Sequence, residues 1–274
     1  MIARDCVTQW RDTAPWQADW QVEQDLVISR ALVELYRAEL VRSQLAFRGG
    51  TALHKLFMAP AARYSEDIDL VQVAPGPIGP ALDAIRQALD PWLGEPQRKF
   101  GDGRATLMYR FASEDAAPLL MRLKIEINTR EHLAVLGLAS AEFSVSNRWF
   151  SGSSRVTTFA IEELLATKLR ALFQRRKGRD LFDLWMGLQR SDVDPALVAK
   201  VFCQYMAAEG RPITRAEFEA NLAAKHVNAD FRRDTSILLR TGVPWAFDEA
   251  MAAVLDRLVA LLPGDPWRGK SRHP

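Results

Sequence analysis

The stretch Arg63-Tyr64-Ser65-Glu66-Asp67-Ile68-Asp69-Leu70 carries the most chemistry in this chain. In a strand, side chains alternate faces, so Asp67 and Asp69 share one face while Ile68 and Leu70 share the other. Two carboxylates that close repel each other unless a cation lies between them. Magnesium suits such a pair, because it takes oxygen ligands from one or two carboxylates plus substrate phosphates. A D-x-D pair also occurs as an ordinary solvated strand face, so its neighbours decide. Gly49-Gly50 falls between an apolar run and a helix start, where bare backbone N–H groups can approach a phosphate. A tight turn would use the same two glycines. A third acid, Glu126 in LKIEIN, shares strand parity with Lys124 and Asn128, and a neighbouring strand could bring it beside the aspartates. Neither G-x-x-x-x-G-K-[ST] nor G-x-G-x-x-G occurs.

Lys168 is the most informative single residue. On a helix over 161–173, Ile161, Leu164, Leu165 and Leu172 fall within about 60° of it at about 100° per residue. A lysine in the middle of an apolar stripe must snorkel, pair with an acid or meet a ligand phosphate. From Lys168 to Arg179 there are six basic residues and no acid: Lys168, Arg170, Arg175, Arg176, Lys177 and Arg179. Asp180 and Asp183 follow, with Arg179 and Asp183 spaced for an i,i+4 pair. The run reads either as a solvated helix–turn–helix hinged at Gly178 or as a positive rim for nucleotide phosphates and an RNA backbone.

The elements that must hold these residues follow from periodicity. Apolar residues at helical spacing predict one long helix over 18–45, and Thr51 is a candidate cap for a helix to 57. SEDIDLVQV alternates as a strand, 81–92 reads as a helix, and Gly101-Asp102-Gly103 centres a hairpin. LLMRLKIEIN is a further strand and FSVSNRWF a last one. Beyond Phe159 the pattern is helical, with helices expected at 161–173, 179–189, 195–208, 214–224, 229–239 and 246–262. The fold class expected is α+β, with a domain over 1–155 and an all-helical lobe over 156–274 that contributes Lys168 and the Arg179–Asp183 motif to a cleft.

With 274 residues, 48% of them hydrophobic and 26% charged, the chain is neither disordered nor fibrous. The formal charge of +2 gives no whole-molecule field, so a polyanionic partner must meet a local patch. Cys6 and Cys203 lie far apart and, with four scattered histidines, match no zinc-ligand spacing. The opening MIARDCVTQWRDTAPW has no apolar core for a signal peptide, and no apolar run is long enough to span a bilayer. A cytoplasmic protein without a membrane partner is expected.

Taken together, FRGGTALHKLF, RYSEDIDL, LKIEIN, EELLATKLRAL and RRKGRDLFDLW resemble the nucleotidyltransferase AbiEii/AbiGii toxin family, including its MenT members, within the DNA polymerase β-like nucleotidyltransferase superfamily. The motifs run from Phe47 to Trp185, about half the chain, and are specific in order and combination. The resemblance implies a mixed sheet with flanking helices and a helical C-terminal lobe. It also implies a toxin of a toxin–antitoxin or phage-defence pair, with an antitoxin or regulator encoded beside it. By motif, Gly49, Gly50 and Ser65 would bind nucleotide, and Asp67, Asp69 and Glu126 would hold magnesium, or manganese in its place. Lys168 would bind the triphosphate, Arg179 and Asp180 would support it, and Asp183 would contribute to catalysis.

The reaction this implies is transfer of NMP from an NTP to an RNA 3′ hydroxyl, with tRNA as the RNA and Arg175, Arg176 and Lys177 tracking its backbone. Two alternatives stay open on sequence alone. One is a kinase-like phosphotransferase acting on a protein hydroxyl, Ser65 included. The other is a non-catalytic module that binds RNA or a partner.

Overall fold

The computed structural model describes residues 2–114 and 118–269. The chain divides into two compact units: one runs to Phe159 and includes Arg240–Gly242, and the other takes Ala160–Leu239 and the chain from Val243 onward.

In the N-terminal unit, α1 (Arg4–Trp10) precedes α2 (Asp19–Arg37), α3 (Glu39–Gln44) and β1 (Leu45–Arg48). Next come α4 (Gly49–Ala52), continued as a π-helical stretch Leu53–Phe57, then β2 (Asp67–Gln72) and α5 (Gly79–Leu93). Five more strands complete the unit: β3 (Gln97–Gly101), β4 (Arg104–Ala112), β5 (Leu120–Asn128), β6 (Leu138–Ser146) and β7 (Ser151–Phe159). The main sheet has the order β1-β2-β5-β4-β3, in which β2 and β5 are parallel and the other pairs antiparallel. Phe47, Ile68, Leu70, Leu107, Tyr109, Leu123, Ile125 and Ile127 bury one face of this sheet. Its other face carries Asp67, Asp69, Lys124 and Glu126, which stay half-exposed. α2 is the central helix of the unit, buried along Val22, Leu26, Ile28, Leu32 and Leu35. It also satisfies sheet backbone: Gln24 Nε2 donates to the Arg122 carbonyl at 2.8 Å.

The C-terminal unit is helical: α6 (Ile161–Gln174), α7 (Gly178–Leu188), α8 (Pro195–Ala208), α9 (Arg215–His226), α10 (Ala229–Arg233) and α11 (Phe247–Arg257). Its core joins Leu165, Leu169, Phe182, Phe202, Phe218, Phe231 and Val254. Gly187 lets α7 approach α6 closely, since a Cβ there would come within 2.6 Å of Leu165. No helix of the described residues is long and apolar enough to cross a membrane.

Several expectations need correction. The helices expected over 229–239 and 246–262 end at Arg233 and Arg257, each followed by a short 3-10 turn. The single helix over 18–45 breaks at Ala38, whose backbone is extended (φ −72°, ψ 120°), and its last residue already belongs to β1. Thr51 does not cap a helix; it lies inside α4, and its hydroxyl is spent on β2. The single last strand is one half of the β6–β7 hairpin.

Candidate active site

β1 delivers the glycines and β2 the acids. β1 runs antiparallel to β2 with Arg48 opposite Asp69, so the chain leaving β1 turns at Gly49 directly beside that carboxylate. Gly49 has φ +82°, and a Cβ placed on it would stand 2.5 Å from Asp69 Oδ2. Glycine is therefore required twice, for the backbone angle and for the approach of the acid. Gly50 and Thr51 begin α4, where Thr51 Oγ1 donates to the Asp67 carbonyl at 2.6 Å. Thr51 Oγ1 also lies 2.6 Å from Ser65 Oγ. These contacts tie Gly49, Gly50, Ser65, Asp67 and Asp69 into one small region.

The parallel pairing of β2 with β5 brings in the next residues: Asp67 is opposite Lys124, and Asp69 is opposite Glu126. Lys124 Nζ donates to Glu126 Oε2 at 2.9 Å and to Asp67 Oδ2 at 3.5 Å. Arg104 Nε holds the other oxygen of Glu126 at 3.2 Å. Burial works against the Lys124 charge, but the hydrogen bond to Glu126 and the fields of Asp67, Glu126 and Asp69 outweigh it and raise its pKa. Burial raises the Asp67 pKa, and Glu66 and Glu126 add to it; Lys124 opposes them without cancelling them. A single ammonium thus leaves this carboxylate short of positive charge. Lys124 is the functional candidate that sequence reading missed. Its only signal there was shared parity with Glu126.

The same geometry tests the implied metal. Asp67 and Asp69 offer hard oxygen donors on one half-open face, which fits magnesium completed by water and phosphate oxygens. Glu126 fits less well, being bound to Arg104 and Lys124. Among the described residues, no group of three or more His, Cys, Asp or Glu side chains could hold a metal ion.

The C-terminal unit holds the remaining motif residues together. Lys168 Nζ lies 2.8 Å from Asp183 Oδ2 and 3.2 Å from Asp180 Oδ1, with Lys168 8% exposed and both acids fully buried. Lys168 therefore neither snorkels nor stands open; it is the shared cation of two acids. Arg175 closes the network, giving Asp180 a two-pronged contact at 2.7 and 2.8 Å. Burial pushes the Asp180 pKa up, but Lys168 and Arg175 overcome it and hold the carboxyl below its usual value.

The basic run is also altered by its partners. Lys177 lies 3.6 Å from Asp234, and Arg170 pairs with Glu209 at 2.9 Å. Asp183 pairs with Lys168, and Arg179 donates its backbone N–H to Asp234. Arg176 remains exposed and Arg179 half-exposed. Gly178 is buried with no room for a side chain, since a Cβ there would collide with the Phe231 carbonyl.

Comparison with known proteins connects these features. Across solved structures, the nucleotidyltransferase toxin MenT4 (Rv2826c) of Mycobacterium tuberculosis H37Rv superposes with TM-score 0.68 at 20% identity, covering 97% of this chain and 91% of its own. JHP933 from Helicobacter pylori gives TM-score 0.52 at 19% identity, covering 88% of this chain and 92% of its own. At such identities the likeness is one of fold, a mixed sheet with flanking helices of the nucleotidyltransferase type. No curated protein sequence matches the chain. The profile of the nucleotidyl transferase AbiEii toxins of type IV toxin–antitoxin systems matches residues 30–253, which takes in the glycines, the acid pair and the Lys168 network. The chain belongs to that family and is a nucleotidyltransferase toxin.

Proposed function

We propose that this toxin transfers NMP from an NTP to the 3′ hydroxyl of an RNA, with magnesium held by Asp67 and Asp69 and tRNA as the acceptor implied by the family resemblance. The observation that carries this reading is the juxtaposition of the two carboxylates with a bare glycine backbone, Gly49 against Asp69. Bound there, the cation supplies charge neutralisation as the bond between the α- and β-phosphates breaks and pyrophosphate leaves. Gly49 and Gly50 add backbone N–H groups beside Asp69 with no Cβ of their own in the way, and Ser65, aligned by Thr51, adds a hydroxyl to the same region. Lys124 neutralises the carboxylates until substrate arrives and is then a point charge for phosphate. As a base for the acceptor hydroxyl, Glu126 is favoured over Asp183, since Glu126 is half-exposed while Asp183 is enclosed against Lys168. Lys168, Asp180 and Asp183 act as positioning residues that fix the start of α7, and with it Arg179 and Arg176 as phosphate contacts. As a family member, the toxin has a cognate antitoxin as partner.

The test is incubation of purified protein with total RNA, magnesium and each α-labelled NTP in turn. Label in RNA is the expected result. Label in protein, or transfer only from γ-labelled nucleotide, would replace this reading with phosphotransfer. Binding of RNA without any transfer would leave a non-catalytic module.

A further inference from the structure

We propose that Arg110 and Arg122, with Lys99 at the sheet edge, form a strip that binds the phosphate backbone of the acceptor RNA on the open face of the main sheet. This inference rests on the RNA-transfer reading above and names the surface that the acceptor uses.

β3, β4, β5 and the turn between β3 and β4 contain six basic residues, Arg98, Lys99, Arg104, Arg110, Arg122 and Lys124, against two acids, Asp102 and Glu126. Both acids are taken: Asp102 by Arg130, and Glu126 by Arg104 and Lys124. Among the described residues, Arg98, Lys99, Arg110 and Arg122 have no acidic partner. Register then sorts them by face. Arg110 is directly opposite Arg122 in the β4–β5 ladder, on the face that carries Lys124 and Glu126. Lys99 is opposite Thr106, Thr106 opposite Glu126, and Glu126 opposite Asp69, so Lys99 shares that face. All three are exposed.

Like charges directly opposite on a sheet destabilise it. An acid at either position would relieve the repulsion and add a cross-strand ion pair. Here Arg110 instead leans on a neutral group, donating to Gln97 Oε1 at 3.0 Å. A polyanion is the ligand that turns this repulsion into binding. Position supports the acceptor as that polyanion: Arg122 is two residues, roughly 7 Å, from Lys124 along β5, and Lys124 contacts Asp67. A strand lying over Arg110 and Arg122 leads directly to the carboxylates. With a formal charge of only +2, the chain has no global field to attract RNA, so the local strip must do so.

The experiment compares wild type, the double variant Arg110→Gln/Arg122→Gln and the single variant Arg110→Glu. Binding of a fluorescent tRNA is followed against salt, together with transfer kinetics and melting. The double variant should bind tRNA about 10-fold more weakly and lower the salt slope by about 1.4, at about 0.7 per lost phosphate contact. Its RNA KM should rise while kcat holds. Arg110→Glu should bind tRNA still more weakly yet melt higher, a combination that damage to the fold cannot produce. If wild type labels RNA and both variants bind it with unchanged affinity and salt slope, the strip is wrong and the transfer reading survives. If wild type labels no RNA, the transfer reading fails and takes the strip with it. If the variants keep RNA binding but lose the antitoxin, the surface belongs to a protein partner and the proposal is overturned.

Discussion

Single charges decide the chemistry of the N-terminal unit. Asp67→Ala removes a side chain that is 43% exposed and leaves Lys124 on Glu126, so stability should change by no more than about 0.5 kcal/mol. The acid pair alone suggests a gain in stability on relief of repulsion; Lys124 already supplies part of that relief, which keeps any gain small. Transfer should fall by at least about 100-fold, and near wild-type incorporation would remove Asp67 from the site. In the other unit Lys225, 4% exposed, donates to the Leu172 and Phe173 carbonyls at the end of α6. Burial lowers its pKa from 10.5 to about 8. Between those values the unfolded chain binds more protons than the folded one, so this group adds stability as pH rises through that window and leaves it flat below. Its full contribution is about 3 kcal/mol, at 1.36 kcal/mol per unit. Urea unfolding of wild type against Lys225→Met at pH 7, 9 and 10.5 should show the difference moving in favour of wild type. A difference independent of pH would contradict the assignment.

At the scale of elements, the buried network of Lys168, Asp180, Asp183 and Arg175 pins α6 to α7. On sequence alone Lys168→Met looks neutral or stabilising, because an unpaired buried ammonium would be costly. The structure reverses that sign, since the substitution takes from two enclosed carboxylates the ammonium they share. A loss of about 3–5 kcal/mol is expected, partly recovered by adding Asp183→Asn, and chemical denaturation measures both. The same contrast marks what sequence could reveal. The misplaced Lys168 and the alternation of β2 were legible because a single element carries each signal. Lys124 was not, since its meaning comes from a parallel register with a strand 57 positions away. β7 was missed for a related reason. SGSSRVTTF is poor in apolar residues and becomes a strand through pairing with β6 and burial of Ser154, Val156 and Thr158. The break at Ala38 carries neither glycine nor proline, so local propensity gave no warning.

At the scale of the whole molecule, binding and stability are linked. The folded N-terminal unit holds a carboxylate, Asp67, that Lys124 only partly compensates, so a magnesium-bound nucleotide should stabilise the fold more than either component alone. At about 100 times its Kd, a ligand that binds only the folded form adds about 2.7 kcal/mol. For a chain of this size that corresponds to a rise in Tm of about 5–10 °C, at about 2–4 °C per kcal/mol. The contribution of the metal can be isolated by melting wild type and Asp67→Asn with nucleotide, first in EDTA and then in magnesium. Wild type should gain most of its increment on adding magnesium, whereas the variant keeps only the part owed to Gly49, Gly50 and Ser65. An equal magnesium increment in both proteins would mean that the cation is carried by the phosphates alone. In that case the pairing of β1, β2 and β5 around Asp67 and Asp69 would be a feature of the fold without a metal to hold.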